Sequence, residues 1–198
     1  PDGRVLVAGG EGEGAALASA ELYDPASGSW IATGSLVGGD GHGFLEIGYQ
    51  TATLLADGTV LATAGSYFGG PLSSAQLYDP SSGSWIATAN LVESRSGHTA
   101  TLLPDGRVLV AGGAIARCDS TTTGGCIETN APVSGELASA EVYDPGNRSW
   151  TAAANMVETR GGHTATLLPD GRVLVAGGYS PIGEVLASAE LYDPGSGS

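Results

Sequence analysis

The sequence predicts an all-β protein assembled from four-stranded antiparallel units. Three recurring features carry that prediction: a segment ending in paired glycines, a segment ending in Tyr-Asp-Pro, and a tryptophan five residues beyond that proline. Self-similarity of this kind is weighed before any single strand is assigned, because it decides the whole architecture.

The segment HTATLLPDGRVLVAGG occupies residues 98–113 and recurs identically at 163–178. Its second half opens the chain at residues 1–10, and a worn copy, QTATLLADGTVLATAG, spans 50–65. The ASAELYDP type ends at Pro25, Pro80, Pro145 and Pro194, and Trp30, Trp85 and Trp150 follow the first three prolines. Spacings between successive prolines are 55, 65 and 49 residues, and removing insertions of 7, 17 and 1 leaves a constant 48.

Each unit reads as four short strands. Strand A is the HTATLL type, strand B is RVLVAGG, strand C is ASAELY, and strand D begins at the tryptophan, as in WIATG. The β-branched and aliphatic alternation supports strands. Pro-Asp-Gly between A and B, and Asp-Pro-x-Ser-Gly between C and D, supply the turns.

Gly-Gly after strand B, Tyr-Asp-Pro after strand C and Trp opening strand D together resemble the kelch motif. The match runs along essentially the whole chain. It implies a kelch-type β-propeller of four-stranded antiparallel blades, with about four blades present and the first and last incomplete. The blades fall at about residues 1–36, 48–91, 96–156 and 161–198, within one propeller segment. The second repeat departs from the motif, with Ala64-Gly65 for Gly-Gly and Gln50 for His, so a less regular blade is expected there.

Composition agrees with short strands and tight turns: 33 glycines, 41% hydrophobic and 14% charged residues. Seven arginines and no lysine against 21 acidic residues give a net charge of −14. Nucleic acid and anionic membrane surfaces, which need neutralising cations, are poor partners for such a chain. No run approaches the roughly 20 apolar residues of a membrane-spanning helix. The sequence opens inside a recurring motif, so it says little about a leader peptide.

Most repeated residues read as scaffold, because a packing group is needed once per blade and a catalytic group only once. His98 and His163 occupy equivalent places in successive blades and do not converge on one metal. Tyr23, Tyr78, Tyr143 and Tyr192, with the tryptophans, supply packing area between blades. Arg95 and Arg160 stand three residues before those histidines. Two readings stay open for them: buried pairing with a carboxylate such as Glu93 or Glu158, or lining a ligand site near the axis, where arginine suits carboxylate recognition.

In an antiparallel meander the A-to-B and C-to-D turns share one face and the B-to-C and D-to-A loops share the other. Both large insertions fall in the second pair, and variable loops on a rigid scaffold are where binding is expected. The binding candidates on this loop face are His42, Tyr67, Phe68, Arg95, Arg117, Arg160 and Tyr179. Aromatics and arginine among small polar residues fit a peptide or a sugar, although tyrosines packed over loop bases would read the same.

Cys118 and Cys126 lie in the third repeat's insertion at residues 114–137. A disulfide between them would stabilise that loop by roughly 2 to 3 kcal/mol. It would imply an oxidising compartment: extracellular, cell surface or periplasmic. Neither cysteine has a partner at structural-zinc spacing, so no metal and no cofactor are expected. Asn147-Arg148-Ser149 matches a glycosylation sequon in a turn that other repeats make without Asn.

Some kelch-type propellers are copper oxidases. With two of three histidines in repeat-equivalent places and both cysteines in one loop, that chemistry is not expected here. A hydrolase- or mutarotase-like site would fall on Glu93, Arg95, Glu158 and Arg160. The leading expectation is a non-enzymatic scaffold binding a protein or glycan, in a chain resembling secreted or surface kelch proteins of bacteria. A purely structural repeat segment of a larger surface assembly is the further alternative. Open edges also lead us to expect either the remainder of a longer propeller or self-association.

Overall fold

The computed structural model describes residues 3–10, 17–37, 49–67, 70–116 and 134–198. Blade 1 contains β1 (Val5–Ala8), β2 (Ala20–Asp24) and β3 (Ser29–Thr33) in one antiparallel sheet. Blade 2 contains β4 (Thr51–Leu54) and β5 (Val60–Thr63), then a small hairpin of β6 (Ser66–Tyr67) and β7 (Gly70–Pro71), then β8 (Ala75–Asp79) and β9 (Ser84–Ala87). Blade 3 repeats this with β10 (Thr99–Leu102), β11 (Val108–Ala111), the hairpin β12 (Ala114–Ala116) and β13 (Ser134–Glu136), β14 (Ala140–Asp144) and β15 (Ser149–Ala152). Blade 4 contains β16 (Thr164–Leu167), β17 (Val173–Ala176) and β18 (Ala189–Tyr192). Sheet orders are β1-β2-β3, β4-β5-β8-β9, β10-β11-β14-β15 and β16-β17-β18, the all-β propeller architecture with incomplete first and last blades.

The registers are the same in every blade. Strand B meets strand C through Val5↔Tyr23, Val60↔Tyr78, Val108↔Tyr143 and Val173↔Tyr192. Strand C meets strand D through Tyr23↔Trp30, Tyr78↔Trp85 and Tyr143↔Trp150. That pairing sets the two rings 5.0, 5.1 and 5.0 Å apart in a tilted contact, a favoured aromatic geometry. The aspartate of each Tyr-Asp-Pro closes the turn with its own side chain. Oδ1 of Asp24, Asp79, Asp144 and Asp193 each accepts, at 2.8 Å, the N–H two residues on.

The core is not inside any blade but between blades. Ala20, Leu22 and Leu36 pack on Ala62, Tyr78 and Trp85. Leu55, Leu61, Leu77 and Leu91 pack on Val108, Val110 and Tyr143. Leu109, Ala111 and Val142 pack on Val173 and Val175. A strand in an inner blade can therefore bury both faces, and every residue of β11 is buried.

The glycines after strand B are required sterically. Gly113 has φ +93°, and a Cβ there would sit 2.6 Å from the Ser96 carbonyl oxygen; Gly178, with φ +92°, would meet the Gly161 oxygen at 2.7 Å. Ala64, which replaces the first glycine of the pair in blade 2, takes the same left-handed backbone at φ +53°. The blade thus keeps its path despite the departure from the motif.

Candidate functional site

The B-to-C and D-to-A loops interlock, and this builds one face of the molecule. Backbone bridges join Leu72 to Arg95, Ser96 to Ala114 and Gly161 to Tyr179. The Gly65 and Gly113 amides donate to the Arg95 and Arg160 carbonyls at 3.1 and 3.0 Å. Each B-to-C loop also starts as a closed hairpin: Leu17, Leu72, Leu137 and Leu186 donate to Gly10, Gly65, Gly113 and Gly178 at 2.7 to 2.9 Å. B-to-C loops of different length therefore share the same hydrogen-bonded base.

Beneath this face lie the two repeated arginines, both 0% exposed. Arg95 donates through Nη1 to the carbonyls of Gly112 (2.7 Å) and Ser139 (3.1 Å). Its Nη2 reaches Ser139 Oγ at 3.2 Å, Glu141 Oε1 at 2.9 Å and Glu93 Oε2 at 3.5 Å. Arg160 repeats the arrangement on Gly177, Ser188, Glu190 and Glu158. Each arginine leaves one blade and grips strand C of the next.

The strand C carboxylates complete this latch. Glu141 accepts the amides of Val92 at 2.7 Å and Glu93 at 3.2 Å. Glu190 accepts those of Val157 and Glu158. Burial works against ionisation of Glu190, but the Val157 amide and the Arg160 guanidinium outweigh it and hold its carboxyl below the usual range. Blade 2 has Gln76 at the same place, exchanging two 2.7 Å bonds with the Val37 backbone. Three residues before Gln50, where the other repeats have arginine, the sequence has Ile47. Carboxylate accompanies arginine, and amide accompanies its absence.

These facts remove Arg95 and Arg160 from the solvent-facing surface on which a ligand would land. Their loop folds down onto the neighbouring blade, where Glu141 and Glu190 each accept from Nη2 and backbone carbonyls accept from Nη1. Glu93 and Glu158, about half exposed, share the same arginines at 3.5 and 3.1 Å.

The repeated histidines act the same way. His98 Nε2 lies 2.9 Å from Thr51 Oγ1 and 3.2 Å from Thr63 Oγ1, and His163 Nε2 lies 3.0 Å from Thr99 Oγ1, each linking to the preceding blade. Desolvation, with the nearby arginine second, pushes His98 down to about 3 and His163 down to about 4. Both rings are neutral at physiological pH.

Among the described residues, the loop face exposes several apolar side chains beside the half-exposed Glu93 and Glu158. In blade 4, Tyr179 is 53% exposed beside Ile182 and Val185 at 70% and 77%. Tyr179 pairs with Val185, and the turn between them is closed by Ser180 N–H to Glu184 O at 2.9 Å. Val92 and Val157, at equivalent places in successive D-to-A loops, are also exposed. Of the other binding candidates, Tyr67 contributes backbone to β6. Its side chain lies outside the described residues, as do Phe68, His42, Arg117, Cys118 and Cys126.

Reading the sequence alone missed Glu141 and Glu190, whose signal was present as the co-occurrence of strand C Glu with loop Arg. It also missed Val185, Val92 and Val157, since nothing in a local sequence separates a bare valine from a packed one.

No family model matches the chain. It is 28% identical over 192 residues to human Kelch-like protein 23, an alignment covering 83% of this chain and 33% of that protein. It is 27% identical over 191 residues to Kelch-like protein 23 of Pongo abelii, with the same coverage of each. The chain spans about a third of the length of the curated relatives it matches. Constant register, core between blades and this similarity together identify the fold as a kelch-type β-propeller segment.

Proposed function

We propose that this chain is a non-enzymatic protein-binding scaffold that engages its partner through the loop face. The observation that carries the reading is the apolar group Tyr179, Ile182 and Val185, exposed on a turn whose backbone is already hydrogen-bonded. A pre-ordered aromatic and aliphatic patch loses little entropy on binding and is the kind of anchor protein interfaces use. Similarity to Kelch-like protein 23 supports a repeat scaffold of this type.

A glycan is the second reading, favoured by the Tyr179 ring, which lies open to solvent near Gly162. A displayed peptide library and a glycan array, each screened against the full chain, separate the two. Selected peptides should lose at least about tenfold in affinity, the weight of a single hot spot, on Tyr179→Ala with Ile182→Ser. Asp105→Asn on the opposite face should leave them unchanged. Binding confined to the glycan array would replace the first reading, and insensitivity to Tyr179→Ala would refute both.

An oxidising compartment is part of the proposal through Cys118 and Cys126 alone. Thiol titration of the unfolded, unreduced protein should find no free cysteine.

A further inference from the structure

On the loop face, side chains from successive segments stand in one row because their backbones pair in register. Ser96 bridges Ala114, and Ala114 pairs with Glu136 in the β12–β13 hairpin. The Arg160 amide donates to the Leu137 carbonyl at 3.2 Å, which sets Glu136 opposite Gly161. Gly161 bridges Tyr179, and Tyr179 bridges Val185. Residues opposite each other in antiparallel pairs share a face, so Glu136, Gly161, Tyr179 and Val185 lie side by side.

That row has a notch in it. Gly161 carries no side chain, and it separates Glu136 from Tyr179 by two strand spacings, roughly 10 Å between backbones. A Cβ built on Gly161 would stand 3.3 Å from Glu136 Cγ, so the glutamate leans over the glycine. From the other side the Tyr179 ring lies along Gly162, its Cδ2 and Cε2 at 3.6 and 3.7 Å from where a Cβ would be. In the hairpins of blades 2 and 4 the place of Glu136 is held by Pro71 and Val185, so this carboxylate is no part of the repeated scaffold.

Glu136 Oε2 is buried, and no described group donates to it. A buried acceptor without a donor is costly. Glu93 and Glu158 differ in this respect, since their Oε2 atoms already accept from Arg95 and Arg160. Among the described arginines none is placed to serve Glu136 in the same way. Arg95 and Arg160 are sealed beneath the face and engaged there, and Arg4, Arg107, Arg148 and Arg172 belong to turns of the opposite face. The chain has no lysine and a net charge of −14.

We infer that Glu136 and Tyr179 seat an arginine side chain of the protein partner, with Gly161 as the floor of the seat. Such a seat names the anchor of the partner proposed above and rests on that reading. A guanidinium is flat, stacks on an aromatic ring and donates in a fork that a carboxylate accepts. Val185, next along the row and 77% exposed, favours apolar residues beside that arginine.

A random peptide library displayed on phage is selected on the full chain and, separately, on its Glu136→Gln variant. Arginine flanked by apolar residues should be enriched in the first pool and not in the second. In the tightest peptide of the first pool, replacing arginine by citrulline keeps the shape and removes the charge. Affinity for the unaltered chain should fall at least about tenfold, the weight of a charge-assisted bond. Against Glu136→Gln the same replacement should change it by no more than about twofold, which is the signature of direct coupling.

Peptides that lose affinity on Tyr179→Ala yet carry no arginine, or whose arginine is indifferent to Glu136→Gln, overturn the seat and leave the protein-binding reading standing. Enrichment of lysine in place of arginine overturns it as well. Peptides indifferent to Tyr179→Ala overturn both. Should the library yield no binder or Glu136→Gln not fold, N-acetylargininamide is titrated into the isotope-labelled full chain. Shifts of the Gly161 and Gly162 amide resonances that N-acetylcitrullinamide does not reproduce support the inference, and their absence at the highest soluble concentration refutes it.

Discussion

Arg95 Nη2 lies 2.9 Å from Glu141 Oε1, with the two side chains 0% and 3% exposed, so an ion pair sealed from water ties the loop leaving blade 2 to strand C of blade 3. Removing one partner of such a pair strands the other as a buried charge. Arg95→Met should therefore cost about 3 to 5 kcal/mol. Arg95→Met with Glu141→Gln should recover a substantial part of the loss, because Gln76 serves the same position with its two backbone bonds. Urea unfolding of both single variants and the double variant measures the coupling.

The buried histidines predict an early acid response. Their pKa values in the folded state, about 3 for His98 and about 4 for His163, lie below the ordinary 6.5. The unfolded chain therefore binds protons first. Stability is fully present above pH 6.5 and declines as pH falls below it, by up to about 1.4 kcal/mol per pH unit for each ring. Urea midpoints at pH 7, 6 and 5 should fall in that order. His163→Gln, which copies the Gln50 found at the same place in blade 2, should flatten the decline.

Arg148 occupies the turn position held by Gly28, Gly83 and Gly197, with φ +54° against +69°, +66° and +74°. An L side chain is strained there. Arg148→Gly should stabilise the protein by about 1 kcal/mol. The converse substitution Gly83→Ala should destabilise it, since its Cβ would also meet Thr33 Oγ1 at 3.1 Å. Thermal unfolding of the two variants checks the opposed signs.

Tyr78 and Tyr143 bond a threonine at the end of the preceding strand D, but blade 3 has Ala153 at that place, and Ala153 and Tyr192 pack against the same core cluster. Ala153→Thr should supply Tyr192 with the missing bond and add about 1 kcal/mol, while Tyr143→Phe should lose a similar amount. Equilibrium unfolding of each variant gives the comparison.

Much of the fold was legible because its signals are local and repeated. Asp-Pro turns, Gly-Gly ends and the Tyr and Trp that meet across strands C and D recur at one period, so each copy confirmed the others. The loop face was legible too, since insertions can only gather where length is free to vary. Its chemistry was not. Arg95 and Arg160 looked equally suited to a ligand or a latch, because their partners Glu141 and Glu190 lie 46 and 30 residues away on the next blade's strand C.

The segment Val-Leu-Val-Ala shows where that boundary falls. It occurs as β1, β11 and β17 with the same sequence and the same strand C register. By itself the sequence determined that each copy is a strand, what it pairs with and which turns flank it, because hydrogen bonding and turn geometry act over a few residues. Only the tertiary structure decided that β11 is buried throughout, β17 mainly on one side, and β1 on neither side completely. Burial belongs to the neighbouring blade, and so does the difference between an arginine that meets a ligand and one that locks two blades together.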